Sequence, residues 1–253
     1  MAEVFGLIGA NLKHSFSKAY FEKKFAGLKL QGYRYENFEL QNIRDFLSLI
    51  KNNTTLKGLN VTLPYKELIL PYLDELSNEA KAIGAVNCIK LSEGKTFGYN
   101  TDVYGFSQSI KPFLDVNHQR ALILGTGGSS KAVAYALKKI GVEVMFVSSS
   151  ASKKNEQVFL FGELNEMVLR SHKLIVNCTP LGMYPNVNSF PPLPYEFFSA
   201  EHLAYDLIYN PQETLFLKKA AEQGAIVVNG LSMLKLQAEK SWEIWNGDRS
   251  PSF

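Results

Sequence analysis

The hydrophobic pattern of the chain switches repeatedly between runs that suit strands and stripes that suit helices. Val4-Phe-Gly-Leu-Ile8 and Ala121-Leu-Ile-Leu124 are short and almost wholly apolar, as expected of strands covered on both faces. Tyr33 to Phe38 alternates like a half-buried strand. Ile43, Phe46, Leu47 and Ile50 then fall at the i, i+3, i+4, i+7 positions of an amphipathic helix. Ser17 is placed to cap an earlier helix carrying Tyr20, Phe21, Phe25 and Leu28. Lys57 to Leu63 predicts a further strand, Pro64 suits the first turn of the helix after it, and Pro71 interrupts that helix. Asn78 to Ile83 predicts a short helix stopped at Gly84, and Ala85 to Leu91 with Thr96 to Tyr99 flank Ser92-Glu-Gly-Lys95, a hairpin signal.

A helix beginning near Asp102 leads into the second half. After the strand at 121–124 come a helix with Ala132, Val133, Ala136, Leu137 and Ile140, ended by Gly141, and the strand Val142 to Val147. Leu174 to Asn177, Leu203 to Leu207 and Ala225 to Asn229 read as short strands, and Leu215 to Gln223 as a helix closed by Gly224. A final helix holds Leu234, Ala238, Trp242 and Trp245 on one face, and the residues from Asn246 read as a frayed tail. Strands alternating with helices predict an α/β protein of two domains, with the active site in the interdomain cleft.

The junction of strand and helix at Leu124-Gly-Thr-Gly-Gly-Ser-Ser130 carries the first chemistry. Gly125 and Gly127 occupy the first two positions of the dinucleotide fingerprint and Ser130, a small residue, the third. They permit a tight turn, a close approach of backbone to a pyrophosphate, and close packing of helix on strand. The helix start adds unpaired N–H groups and a positive dipole end. The strand that follows completes a βαβ unit, which favours dinucleotide binding over a plain structural turn.

Composition narrows the field. The 253 residues are 46% hydrophobic and 20% charged, with a formal net charge of +3. That charge is too small to imply nucleic acid, and no basic run or long apolar stretch implies a membrane. No secretory signal is expected, and two distant cysteines, Cys88 and Cys178, suit reduced thiols in a cytoplasm. The four histidines show no metal-ligand spacing, and there is neither a nucleophile elbow nor a P-loop, so no metal is expected.

Three polar clusters lie near element ends. In Asn60-Val-Thr-Leu-Pro-Tyr-Lys66 the polar Asn60 and Thr62 share one face of a strand, and Lys66 stands where the helix dipole disfavours a cation. A solvated lysine is the alternative. Asn100-Thr-Asp102 offers a carboxylate held ionised by the helix dipole, or simply a helix cap at Thr101. His14-Ser-Phe-Ser17 offers two hydroxyls for a carboxylate, or a helix N-terminus.

These clusters, with Ala85-Val-Asn87, the glycine turn, Asn177-Cys-Thr-Pro180 and Gly230-Leu-Ser-Met-Leu-Lys-Leu-Gln237, resemble in order the motifs of the shikimate dehydrogenase family, from Val4 to Trp245. The resemblance implies an N-terminal substrate-binding domain (1–101 plus 232–253) and a Rossmann-type dinucleotide-binding domain (102–231). It implies reversible reduction of 3-dehydroshikimate to shikimate by a nicotinamide cofactor, on the route to aromatic amino acids, in a cytoplasmic monomer or homodimer. By match of motif, Ser15 and Ser17 hold the substrate carboxylate, helped by Tyr209. Asn60, Thr62, Asn87, Asp102 and Gln237 bind its hydroxyls or carboxylate, and Lys66 with Asp102 forms the catalytic pair. The implied cofactor set is Gly125, Thr126, Gly127, Gly128, Ser129 and Ser130, then Ser148, Ser149, Ser150 and Lys153, then Asn177, Thr179, Leu207, Gly230 and Met233.

Cofactor choice turns on the end of the second strand of the βαβ unit. An acid there would accept the ribose hydroxyls of NAD. Instead Ser148-Ser-Ser150 is followed by Lys153 and Lys154, which suit a 2′-phosphate, so NADP is expected and NAD is the alternative. NADP-dependent relatives typically carry Asn-Arg-Thr here; Ser149 replaces the arginine and with it the planar stacking and forked donors. Val103-Tyr104 departs too, since a glycine commonly follows Asn-Thr-Asp in the family. The rival readings are an NAD-dependent quinate/shikimate dehydrogenase and a non-catalytic metabolite sensor, which should have lost the lysine–aspartate pair or the glycine turn.

Overall fold

In strand β1 (Glu3–Gly9), Val4 and Ile8 are buried on one side and Phe5 and Leu7 on the other, which is why the run is apolar throughout. The computed structural model describes residues 3–13 and 15–247, so His14 and the expected tail beyond residue 247 lie outside the described residues. The chain divides into two units. One runs through Thr101 and resumes at Ala238; the other is Asp102–Gln237.

In chain order the first unit holds β1, α1 (Phe16–Gly27), β2 (Tyr33–Glu39), α2 (Asp45–Asn52), β3 (Leu56–Val61), α3 (Tyr65–Leu68), β4 (Glu75–Leu76), α4 (Asn78–Ile83), β5 (Cys88–Ser92) and β6 (Lys95–Tyr99). Among the described residues they form a six-stranded sheet in the order β2-β1-β3-β5-β6-β4. It is mixed: β1 runs parallel to β2 and β3, while β5 is antiparallel to β3 and β6. One face carries Phe46, Leu59, Tyr65, Ile69 and Ile89, and the other an aromatic cluster of Phe5, Phe21, Phe25, Tyr35 and Trp245. Phe21 stacks on Tyr35 with ring centroids 4.7 Å apart, and the Trp245 ring lies 2.4 Å from where a Gly58 side chain would begin.

Two expectations are corrected here. Ser15, not Ser17, caps α1: it is extended and accepts from the Ser17 N–H, while Ser17 is buried inside the helix. The strand expected to reach Leu63 ends at Val61, and Pro64 precedes a helix of only four residues.

The second unit begins with α5 (Asp102–Ile110) and continues through β7 (Arg120–Leu124), α6 (Gly128–Lys139), β8 (Glu143–Ser148), β9 (Val158–Leu160), α7 (Glu166–Ser171), β10 (Leu174–Asn177), β11 (Leu203–Asp206), α8 (Leu215–Glu222) and β12 (Ile226–Val228). Its described strands are all parallel, in the order β12-β11-β10-β7-β8-β9. Chain order reverses between β7 and β10, the topological switch point of a doubly wound sheet, and the crevice outside the strand ends there is where such sheets bind ligands. The last helix, α9 (Leu231–Asn246), starts in this unit and passes into the first at Ala238.

Candidate active site

The glycine turn and the Asn177 turn, both expected to hold the cofactor, meet at the switch point. Gly125 follows β7 with φ +105°, a conformation that favours glycine, and its N–H donates to the Val147 carbonyl at 2.8 Å. The parallel register pairs Asn177 with Leu124, so the Asn177-Cys-Thr turn lies beside the glycine turn. A Gly125 side chain would begin 3.4 Å from the Thr179 methyl carbon and 3.2 Å from Ser130 Oγ. Gly127 caps α6 without a side-chain bond, and the position of its absent Cβ is open space. Ser130 Oγ is buried and, among the described residues, lacks a hydrogen-bond partner. An open glycine cradle, a helix start and an unused hydroxyl fit a pyrophosphate, as the fingerprint requires. Gly230 packs on the turn after β11: a side chain there would begin 2.0 Å from the Leu207 carbonyl oxygen.

After β8, Ser148 is buried and its Oγ accepts from the Ser150 N–H, tightening the turn, while Ser149 and Ser150 are exposed. The two lysines of this turn differ. Lys154 is engaged by Glu163, with Nζ 2.6 Å from Oε1, whereas Lys153 sits exposed at the end of a 3-10 turn.

Asn60, Asn87 and Thr101, from three of the expected substrate motifs, share one polar network. Asn60 spends both amide hydrogens inside it, on the Asn87 carbonyl (3.2 Å) and Ser241 Oγ (2.9 Å), and its Oδ1 accepts from the Tyr35 hydroxyl (2.9 Å). Burial holds that hydroxyl well above its ordinary pKa, so it stays a donor. Asn87 Oδ1 accepts from the Thr101 N–H at 2.6 Å, and Thr101 Oγ1 lies 3.2 Å from Ser241 Oγ. Asn60 therefore braces Asn87 from below. Neither Tyr35 nor Ser241 belongs to a motif: Tyr35 reads as an ordinary strand residue, and Ser241 lies in the last helix just past the Gly230–Gln237 motif, 181 residues from the Asn60 it bonds. Lys66, half-buried on α3, has its carbonyl bonded to the Val86 N–H at 2.8 Å, which sets its backbone beside the segment that carries Asn87.

In the second unit, Asp102 is buried at the start of α5. Gly105 lets α5 close on α9: a side chain there would begin 2.7 Å from the Met233 carbonyl oxygen and 3.0 Å from Gln237 Cβ. Packing thus gathers Asp102, Met233 and Gln237 on neighbouring helices. The bond between Ser109 Oγ and the Tyr205 hydroxyl (2.6 Å) seats α5 on the sheet. Tyr209, half-buried, follows β11 in the loop that carries Leu207.

A doubly wound parallel sheet with this cradle, joined in one chain to a second α/β unit rich in buried amides, defines the class of two-domain nucleotide-dependent dehydrogenases. Comparison with known proteins narrows it. The family profile described as "Shikimate dehydrogenase substrate binding domain" matches residues 7–89. The chain is 38% identical to the shikimate dehydrogenase (NADP(+)) of Carboxydothermus hydrogenoformans, over 97% of this chain and 92% of that one. It is 39% identical to the solved shikimate dehydrogenase 1 of Peptoclostridium difficile (TM-score 0.84; 99% and 94% covered). It is 33% identical to that of Thermus thermophilus solved with NADP(H) and shikimate (TM-score 0.84; 97% and 94%). The chain belongs to the shikimate dehydrogenase family.

Proposed function

We propose that this chain reduces 3-dehydroshikimate reversibly to shikimate with NADP(H), as a cytoplasmic enzyme acting as a monomer or homodimer. The observation that carries the reading is the backbone bond from the Val86 N–H to the Lys66 carbonyl, which ties the helix of Lys66 to the residue before Asn87, whose amide is held by Thr101. Family likeness over nearly the whole chain supports it.

Ser15 and Ser17 hold the substrate carboxylate with Tyr209, and Thr62, Asn87, Asp102 and Gln237 hold its hydroxyls or carboxylate; Asn60, expected among them, has its amide hydrogens on Asn87 and Ser241 and acts through Asn87 instead. The glycine turn, Ser148 to Ser150, Lys153, Asn177, Thr179, Leu207, Gly230 and Met233 hold the dinucleotide. NADPH, when bound, supplies a hydride to the ketone carbon. Charge then gathers on the ketone oxygen, which needs a proton within hydrogen-bond reach. Lys66 Nζ polarises that carbonyl and gives the proton. Asp102 is its catalytic partner. In the oxidising direction Lys66 accepts that proton.

The test is an absorbance assay at 340 nm crossing shikimate and quinate with NADP+ and NAD+. The expected result is turnover of shikimate with NADP+ above every other pairing. Turnover of quinate with NAD+ above the rest would establish the alternative that Ser149, in place of arginine, favours.

A further inference from the structure

Three hydrogen-bond donors converge on one buried carboxylate at the end of β11. Asp206 Oδ1 accepts from Asn177 Nδ2 (3.0 Å) and from the Ile208 N–H (3.0 Å), and Oδ2 accepts from the Thr214 hydroxyl (2.6 Å). The side chain is fully buried. An ionised carboxylate accepts at every lone pair and donates nowhere, which is what three donors require. Burial nonetheless pushes the Asp206 carboxyl up to about 6, so its charge at neutral pH is kept at a cost in stability. Asparagine would carry no charge, but would turn an N–H toward one of the donors.

The consequence is directional. Facing an acceptor, Asn177 presents its NH2 group to Asp206, and its Oδ1 points the other way. There it takes both the N–H (3.0 Å) and the O–H (2.6 Å) of Thr179. The Thr179 proton is thereby committed, and the oxygen's lone pairs are left for the Leu181 N–H at 3.3 Å. Thr179 is the residue that lies against Gly125, and Ile208 follows the Leu207 that lies against Gly230. One carboxylate therefore ties the turn after β10 and the turn after β11 to the start of α8, where Thr214 is the N-cap.

We propose that Asp206 is a positioning residue for the cofactor turn, setting the Asn177 amide, and through it the Thr179 hydroxyl, in the orientation that receives NADP(H). The proposal rests on the cofactor reading above.

The experiment measures NADP+ binding by calorimetry at pH 8 for the wild-type chain, Asp206→Asn and Asp206→Leu. Thermal melts and the Asn177 side-chain NH2 resonances are recorded beside it. Asp206→Leu leaves the Asn177 amide without its acceptor: the expected Kd rises about ten-fold or more, and the NH2 resonances move toward those of a solvated amide. Asp206→Asn keeps an oxygen toward Asn177, so the expected Kd rises about three-fold while the melting temperature holds or rises. Lost affinity without lost stability is what a purely structural role would not produce. Binding within about two-fold of wild type in both variants, or affinity falling only in step with melting temperature, overturns the proposal. If Asp206→Leu does not fold, Asp206→Asn decides by the same criterion. A wild-type chain that does not bind NADP+ overturns the cofactor reading itself, and the proposal with it.

Discussion

The two units bury polar groups in opposite ways. The first closes a neutral circuit, Tyr35–Asn60–Ser241–Thr101–Asn87, in which hydroxyls and amides both give and receive. The second gathers neutral donors around one anion, Asp206. A neutral circuit costs little to bury once its bonds are made, and it stiffens the end of β3 and the segment that carries Asn87 into β5. An anion costs more, because desolvation opposes its charge, but it forces every partner to face it with a hydrogen. The first unit gains rigidity from its polar interior, and the second gains direction.

Substitutions and pH probe that contrast unequally. The largest expected effect is steric. Gly230→Ala drives a methyl to within 2.0 Å of the Leu207 carbonyl oxygen, backbone against backbone, and should cost about 3 kcal/mol or more together with NADP+ affinity. Gly58→Ala meets the Trp245 ring at 2.4 Å instead, and should cost about 2 kcal/mol in the urea midpoint.

Next in size is pH. The folded Asp206 carboxyl lies near 6 against an ordinary 3.8, so the fold holds this proton more tightly than the unfolded chain does. The resulting stability is full below the ordinary value and is lost as pH rises through about 6, a swing on the order of 3 kcal/mol. The difference in stability between wild type and Asp206→Asn should shift by that amount from pH 4 to 7; a flat difference would contradict the assignment. Tyr35→Phe, which strips Asn60 Oδ1 of its donor, should cost about 1–2 kcal/mol with no pH dependence across that range, as a neutral circuit demands. The smallest effect separates neighbours: Lys153→Ala should raise the NADP+ Kd roughly three-fold, and Lys154→Ala less than two-fold, because Glu163 already holds that ammonium. Calorimetry with NAD+ as the control reads both.

What the sequence carried was local. The apolar run of β7, the glycines after it and the alternation in β2 announce themselves within a few residues, and the structure has them where the pattern puts them. Elements without a stripe were invisible: β4 has two residues, and α7 buries Leu169 alone and exposes Met167. The cap of α1 was placed two residues late because two serines offered the same chemistry, and only backbone geometry separates them. Lys66, Asn87 and the glycine turn stand in recognisable motifs. The groups that orient them, Ser241, Tyr35 and Asp206, are set by pairings across 25 to 181 residues, which no short window contains.

The central claim is that Lys66 passes the proton, and the most direct measurement compares turnover with substrate binding in Lys66→Ala. The account predicts that shikimate oxidation with NADP+ falls by about a thousand-fold or more while shikimate still binds, within roughly ten-fold of wild type by calorimetry. Turnover within a few-fold of wild type would contradict it.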